Sequence, residues 1–151
     1  MNLRPVKPGD RAALRDFRCS DGTPPQNEVE DWIRKQSAGW CNASVNNELW
    51  VLISDADELI GFFAIMPGED DGETFIAAIA IASSAPHNEG IATRILGGCL
   101  NRIAQLHDEP IAVWNVDKRN TYALKMSMSS GARPDPAPKF AKVEQFYLYL
   151  Y

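Results

Sequence analysis

Phe75-Ile76-Ala77-Ala78-Ile79-Ala80-Ile81-Ala82 followed, after three residues, by Pro86-His87-Asn88-Glu89-Gly90-Ile91-Ala92 is the passage whose reading decides the fold. The first part is an unbroken apolar run with branched side chains at Ile76, Ile79 and Ile81, the pattern of a strand buried on both faces. Simple alternation assigns Phe75, Ala77, Ile79 and Ile81 to one face. It assigns Ile76, Ala78, Ala80 and Ala82 to the other, which is then mostly small. Downstream, Ile91, Ile95, Cys99 and Ile103 recur every fourth residue, with Leu96, Leu100 and Ala104 beside them, so a helix buries one stripe. A strand that stops at a glycine-containing turn and feeds a helix aims several unpaired amides and the positive end of the helix dipole at one spot. A phosphate fits such a spot; so does a plain connection that binds nothing.

Working outward, Leu49 to Ser54 and Leu59 to Met66 read as a hairpin, and Pro67 to Glu73 as an acidic turn into the central strand. Asn2 to Val6 reads as a first strand. Asp10 is placed to cap a helix over Ala12 to Phe17. Asn27 and Glu30 have capping-box spacing ahead of a helix marked by Val29, Trp32, Ile33 and Gln36. Beyond the glycine turn, Pro110 to Val116 reads as a strand carrying Trp114. Asn120, Ala123, Leu124 and Met128 fall at helical spacing, with Gly131 suited to a left-handed cap. Pro134, Pro136 and Pro138 predict an extended or irregular stretch. Val143 to Tyr151 alternates as a half-exposed strand. Gly97 and Gly98 inside a helix predict tight packing on the sheet, since each costs about 1 kcal/mol relative to alanine. The fold class expected is α/β (α+β): one domain over residues 1–151, with a mixed, mostly antiparallel sheet and helices on both faces.

With 151 residues and 45% hydrophobic content, the chain can bury one good core but not two. Asn2 to Phe17 mixes charged and apolar residues, so no signal peptide is read there, and no apolar run approaches the roughly 20 residues of a membrane helix. Cys19, Cys41 and Cys99 lack metal-ligand or disulfide-framework spacing, which predicts a cytoplasmic protein without a metal. The sequon at Asn42 then carries no meaning. A net charge of −5 argues against nucleic acid and favours a cationic partner. Glu69, Asp70, Asp71 and Glu73 concentrate that charge, as a solvated loop or as an attractor for a cation.

Element order and local motifs together resemble the GCN5-related N-acetyltransferase (GNAT) family, whose members move an acyl group from acyl-CoA to an amine. The family motif Q/R-x-x-G-x-G/A is similar to His87-Asn88-Glu89-Gly90-Ile91-Ala92, matching at the glycine and the last small residue and departing at His87. The pattern N-x-x-A-x-x-(F/L)-Y-x-x-x-G-F is met at Asn120, Ala123, Met126 and Gly131. Ser127 stands where the family has tyrosine, and Ala132 where it has phenylalanine. The resemblance implies an acyl-CoA N-acyltransferase-like fold with acetyl-CoA as acyl-donor cosubstrate. Backbone from Asn88 through Ile91 to Thr93 would hold its pyrophosphate, and that of Ile79, Ala80 and Ile81 its pantetheine arm and thioester carbonyl. The arm would enter where this strand splays from Pro110–Val116, with Asn120 and Ala123 on the facing helix.

The resemblance implies direct attack by the amine. No G-x-S-x-G elbow or catalytic thiol motif competes with it. A lysine-like amine of pKa about 10.4 must lose a proton, which costs roughly 4–5 kcal/mol at neutral pH. Glu73 and Asp71 are the carboxylates placed to help, if they are not simply solvated. For the leaving thiolate, three options stay open: Ser127, directly or through water; Tyr122, five residues earlier; or no dedicated acid. The acceptor expected is a small-molecule or protein amine, with no membrane and with a homodimer through the tyrosines of the last strand as an option. Two other functions fit the same sequence: a non-catalytic acyl-CoA-binding protein, and, from Phe17-Arg18-Cys19 and Val29 to Arg34, a toxin that acetylates aminoacyl-tRNA.

Overall fold

The computed structural model describes residues 1–20, 26–41, 46–86, 90–136 and 140–151. Its elements run β1 (Asn2–Pro5), a 3-10 turn (Pro8–Asp10), α1 (Arg11–Arg15), α2 (Gln26–Trp40), β2 (Glu48–Ile53), β3 (Leu59–Pro67) and β4 (Glu73–Ile81). Then follow α3 (Ile91–Ala104), β5 (Ile111–Asp117), α4 (Thr121–Ser129), β6 (Arg133–Pro134) and β7 (Val143–Tyr149). The strands form one sheet in the order β1-β2-β3-β4-β5-β7-β6. Among the described residues β4 and β5 pair in parallel and every other strand pairing is antiparallel. The parallel step needs a crossover, and α3 supplies it.

Each face of the sheet carries its own apolar cluster. On one, Ile91, Ile95, Cys99 and Ile103 of α3 pack over Phe63, Ile65, Ile76, Trp114 and Phe146. Full burial of an isoleucine such as Ile95 stabilises by about 1.5–3 kcal/mol. On the other, Leu14, Ile33 and Trp40 from α1 and α2 cover Val51, Phe62, Ala64, Ala80 and Ala82. Helices therefore cover both faces, as the sequence predicts. Gly98 packs so closely on β1 that a Cβ would run into Leu3 Cδ2, whereas a Cβ on Gly97 meets nothing within 4 Å. Tight packing thus explains Gly98 only.

The alternation expected of the central strand fails midway. Ala64 faces Ala78 across the ladder and Ile65 faces Ile76, so Ala77 is a bulge with no partner in β3. One extra residue reverses the phase of the side chains. Ile76 therefore shares the α3 face with Ile79 and Ile81, while Ala77, Ala78, Ala80 and Ala82 turn together towards α1 and α2.

Local signals elsewhere were captured by other partners. Asp10 makes no side-chain cap; its carboxylate accepts Arg4 at 2.8 and 2.9 Å and the Lys7 N–H at 2.8 Å. Asn27 lies inside α2, and Glu30 Oε1 accepts the Cys19 N–H at 2.8 Å instead of closing a capping box. The extended stretch at Arg133–Pro134 forms a two-residue edge strand on β7. Gly131 adopts the expected left-handed backbone at φ 91°.

Candidate functional site

β4 and β5 run side by side only from Glu73↔Ile111 to Ile76↔Trp114. Past the Ala77 bulge they part, and a cleft of about 410 Å³ opens between them. It passes through the sheet. On the α3 and α4 side it is lined by Ala92, Leu96, Ala123, Met126 and Ser127, and on the α2 side by Cys19, Glu28, Trp32 and Asp117.

The β4 backbone along this cleft has a defined orientation. Ala82 donates its N–H to Ile60 at 2.8 Å, which fixes the alternation of the ladder, so Ile79 and Ile81 turn their N–H and C=O groups away from β3. At the far end the Ile81 carbonyl is taken by the Ser20 N–H at 2.9 Å, and Ser83 donates to Arg18 at 2.7 Å. These bonds tie the segment after α1 to the end of β4, leaving Ile79 as the residue whose backbone points at the middle of the cleft.

Gly90 begins α3 at φ 66° and ψ 27°, a left-handed conformation in which a side chain is strained. Ala92 lines the cleft, Ile91 is buried in the core and Thr93 is exposed. His87, Asn88 and Glu89 lie outside the described residues. Asn120 caps α4, accepting the Ala123 N–H at 3.0 Å, and both residues line the cleft. Capping occupies Asn120 Oδ1, so its contribution at this site is to set the start of α4.

Ser127 is buried, 3% exposed, and its Oγ accepts the indole N–H of Trp114 at 2.9 Å. Tyr122 also lines the cleft but is 57% exposed. Glu73 does not reach it. That carboxylate sits at the turn before β4, where Glu73 Oε2 accepts the Asp70 N–H at 3.4 Å, and lines a second cavity of about 600 Å³. Glu69, Asp70, Asp135, Phe75, Tyr147 and Tyr149 line that cavity too, and Asn115 borders both. The sequence therefore predicted Ile79, Ala80, Ile81, Ala92, Asn120, Ala123, Tyr122 and Ser127 at one place, and the fold brings them together; Glu73, Ile91 and Thr93 stand elsewhere.

Two lining residues, Trp114 and Asp117, had no signal in the sequence. Trp114 reads only as an apolar strand residue, yet it holds Ser127 from thirteen positions away. Trp32 meets Trp40 edge-on at 5.4 Å and also forms part of the cleft wall, so it is both core and lining. Asp117 is gripped by Arg119 through Nε at 2.9 Å and Nη2 at 2.8 Å, and the Arg119 N–H adds a third bond at 2.9 Å. These bonds from Arg119 hold the carboxyl down to about 2. Glu28 stands 3.9 Å from the same guanidinium. Cys19 is the thiol in the wall, and burial, with the nearby Glu30 charge, pushes it up to about 11. At neutral pH it is a thiol and a poor nucleophile.

Among the described residues no helix is long and apolar enough to cross a membrane. The family model described as an acetyltransferase (GNAT) domain matches residues 1–133. Solved structures agree in fold. A GNAT-family protein from Desulfovibrio desulfuricans superposes with a TM-score of 0.76 at 14% identity, covering 99% of both chains. The PaiA N-acetyltransferase of Thermoplasma acidophilum, in complex with coenzyme A, gives 0.75 at 12% identity over 98% of both. A variant of the spermidine N-acetyltransferase SpeG of Vibrio cholerae gives 0.69 at 16% identity, over 98% of this chain and 92% of that one. No curated protein sequence matches the chain.

Proposed function

The chain belongs to the GNAT acetyltransferase family, and from that premise we propose that it transfers an acetyl group from acetyl-CoA to a primary amine by direct attack. The observation that carries this reading is the cleft through the sheet, with Ile79 backbone on one wall and Ser127 on the other. A slender thioester arm entering from the α3 and α4 side meets an amine arriving from the α2 side. The motif His87 to Thr93, of which Gly90 to Thr93 form the start of α3, would take the pyrophosphate. The Ile79 N–H would polarise the thioester carbonyl, and Ser127 stands where the departing sulfur would lie. Tyr122, at the exposed rim, would serve the mouth of the cleft.

The nucleophile is the acceptor itself. Cys19, the thiol in the wall, stays protonated, so no acyl-enzyme step is assigned to it. Glu73 belongs with Glu69, Asp70 and Asp135 in the cavity beside Asn115. There its role would be to draw an ammonium group towards the cleft rather than to take a proton at the thioester. Such a lining suits an acceptor with more than one positive charge, whether a small polyamine or a protein amino group. The spermidine acetyltransferase among the structural neighbours is consistent with that class. The setting proposed is cytoplasmic, with access to acetyl-CoA, no nucleic acid partner, and a second copy as a possible dimer partner.

The test is direct. Acetyl-CoA and CoA should raise the melting temperature, and a panel of mono-, di- and polyamines should release free CoA thiol from acetyl-CoA. Stabilisation without thiol release on any amine would favour an acyl-CoA-binding protein. No stabilisation by acetyl-CoA, CoA or longer acyl-CoAs would overturn the reading.

A further inference from the structure

Resting on that reading, we infer that Trp114 is a positioning residue that turns the Ser127 hydroxyl into a hydrogen-bond donor for the sulfur of CoA. Both residues are buried, 6% and 3% exposed, and both line the cleft. The indole N–H can only donate. Its 2.9 Å bond to Ser127 Oγ therefore occupies an acceptor lone pair and leaves the hydroxyl hydrogen to point elsewhere. Among the described residues no acceptor takes that hydrogen; the Ser127 carbonyl, not its hydroxyl, receives Ser130 Oγ at 2.6 Å. A buried hydroxyl normally uses its hydrogen. Here the cleft is the space where a partner can come from.

The chemistry differs from proton donation. As the amine lone pair forms the new C–N bond, the C–S bond breaks and its electron pair stays on sulfur. The thiolate leaves as an anion, held by the Ser127 O–H, and the surplus proton on nitrogen goes to water. An aliphatic hydroxyl is far too weak an acid to protonate a thiolate whose conjugate acid has a pKa of about 8.5, but it is a good donor to that anion. Trp114 strengthens the donor by polarising it and, by taking one of the two lone pairs, directs the hydrogen away from the indole.

The consequence is measurable without knowing the acceptor, by titrating the thiol of bound CoA through its thiolate absorbance. The other titratable groups in the cleft wall are Cys19, Glu28, Asp117 and Tyr122. The carboxylates among them oppose thiolate formation, so a fall below about 8.5 in the wild type comes from hydrogen-bond donors, and the variants separate the Ser127 share from that of the Ile79 N–H. Ser127→Ala should raise the bound thiol by about one pKa unit, a tenfold loss of thiolate. Trp114→Phe keeps a ring against Phe146 (6.0 Å between centroids) and should raise it by about half as much. The double variant should match Ser127→Ala alone, and Ser127→Thr should restore the wild-type value. A thiol unmoved by Trp114→Phe in a folded protein, or a double variant whose shift is the sum of the two, overturns the inference. Failure of CoA to bind the wild type at all is a different result, which removes the acyl-transfer reading and this inference with it.

Discussion

The two halves of β4 share one strand and one apolar composition but behave differently. Residues Glu73 to Ile76 are locked between β3 and β5, whereas Ala78 to Ile81 keep β3 and lose β5. The switch is the unpaired Ala77 between them. A packed half gives the sheet its continuity, and a parted half gives the molecule a passage through that sheet. The lesson is that a single inserted residue separates the packed part of a nine-residue strand from the part that lines a cleft.

The largest test of that division is to delete Ala77. Without it Ala64↔Ala78 and Ile65↔Ile76 become consecutive pairs of a regular ladder, so Ile76, Ile79 and Ile81 keep the α3 face while the irregularity at which β4 leaves β5 is removed. Stability should stay close to wild type while the rise in melting temperature with CoA is lost; a chain that fails to fold, or one that keeps its stabilisation by CoA, would refute the bulge as the switch. Next comes Phe146→Ala beneath the packed half. Phe146 is 1% exposed and stacks on Trp114. A loss of about 3–5 kcal/mol is expected by denaturant titration, and a loss under about 1 kcal/mol would mean this half is not the anchor.

Smaller effects belong to the parted half. Gly90→Ala places a side chain at φ 66° and should cost about 1 kcal/mol through strain. It should also weaken CoA binding measured by calorimetry, because the amides at the start of α3 would be re-aimed. Equal affinity in wild type and variant would detach the turn from the pyrophosphate. Smallest is Asp117→Asn. The folded carboxyl is held at about 2 by Arg119, below its unfolded value of about 3.9. Its contribution is therefore present above pH 4 and fades as pH falls from about 4 towards 2. The melting-temperature gap between wild type and variant should close over that window; a gap constant down to pH 2 would deny the Arg119 pairing.

What the sequence disclosed follows the range of each interaction. Asn120 and Ala123 are three residues apart, and their cap is present as read. The apolar run of β4 and the stripe of α3 report burial directly, and both were legible. Asp10 and Glu30 carry equally good local signals, but Arg4 and the Cys19 N–H compete for those carboxylates once the chain is folded. The bulge was invisible because Ala77 sits among alanines and any of them could have been the extra residue. Trp114 and Ser127 meet only because β5 and α4 are placed side by side, and neither position marks the other. Motif similarity reached the cleft's walls, while the contact that orients its hydroxyl required coordinates.

The bonds from Ser20 to Ile81 and from Ser83 to Arg18 have a further consequence. A strand that leaves its neighbour halfway along exposes a row of backbone donors and acceptors, the usual template for aggregation or for capture of an extended peptide. Here the strap from the segment after α1 occupies the far end of that row, and pairing with β5 occupies the near end. The exposed edge that is left is too short to register another strand. The protein thus keeps a breach in its sheet while offering little edge for self-association through it.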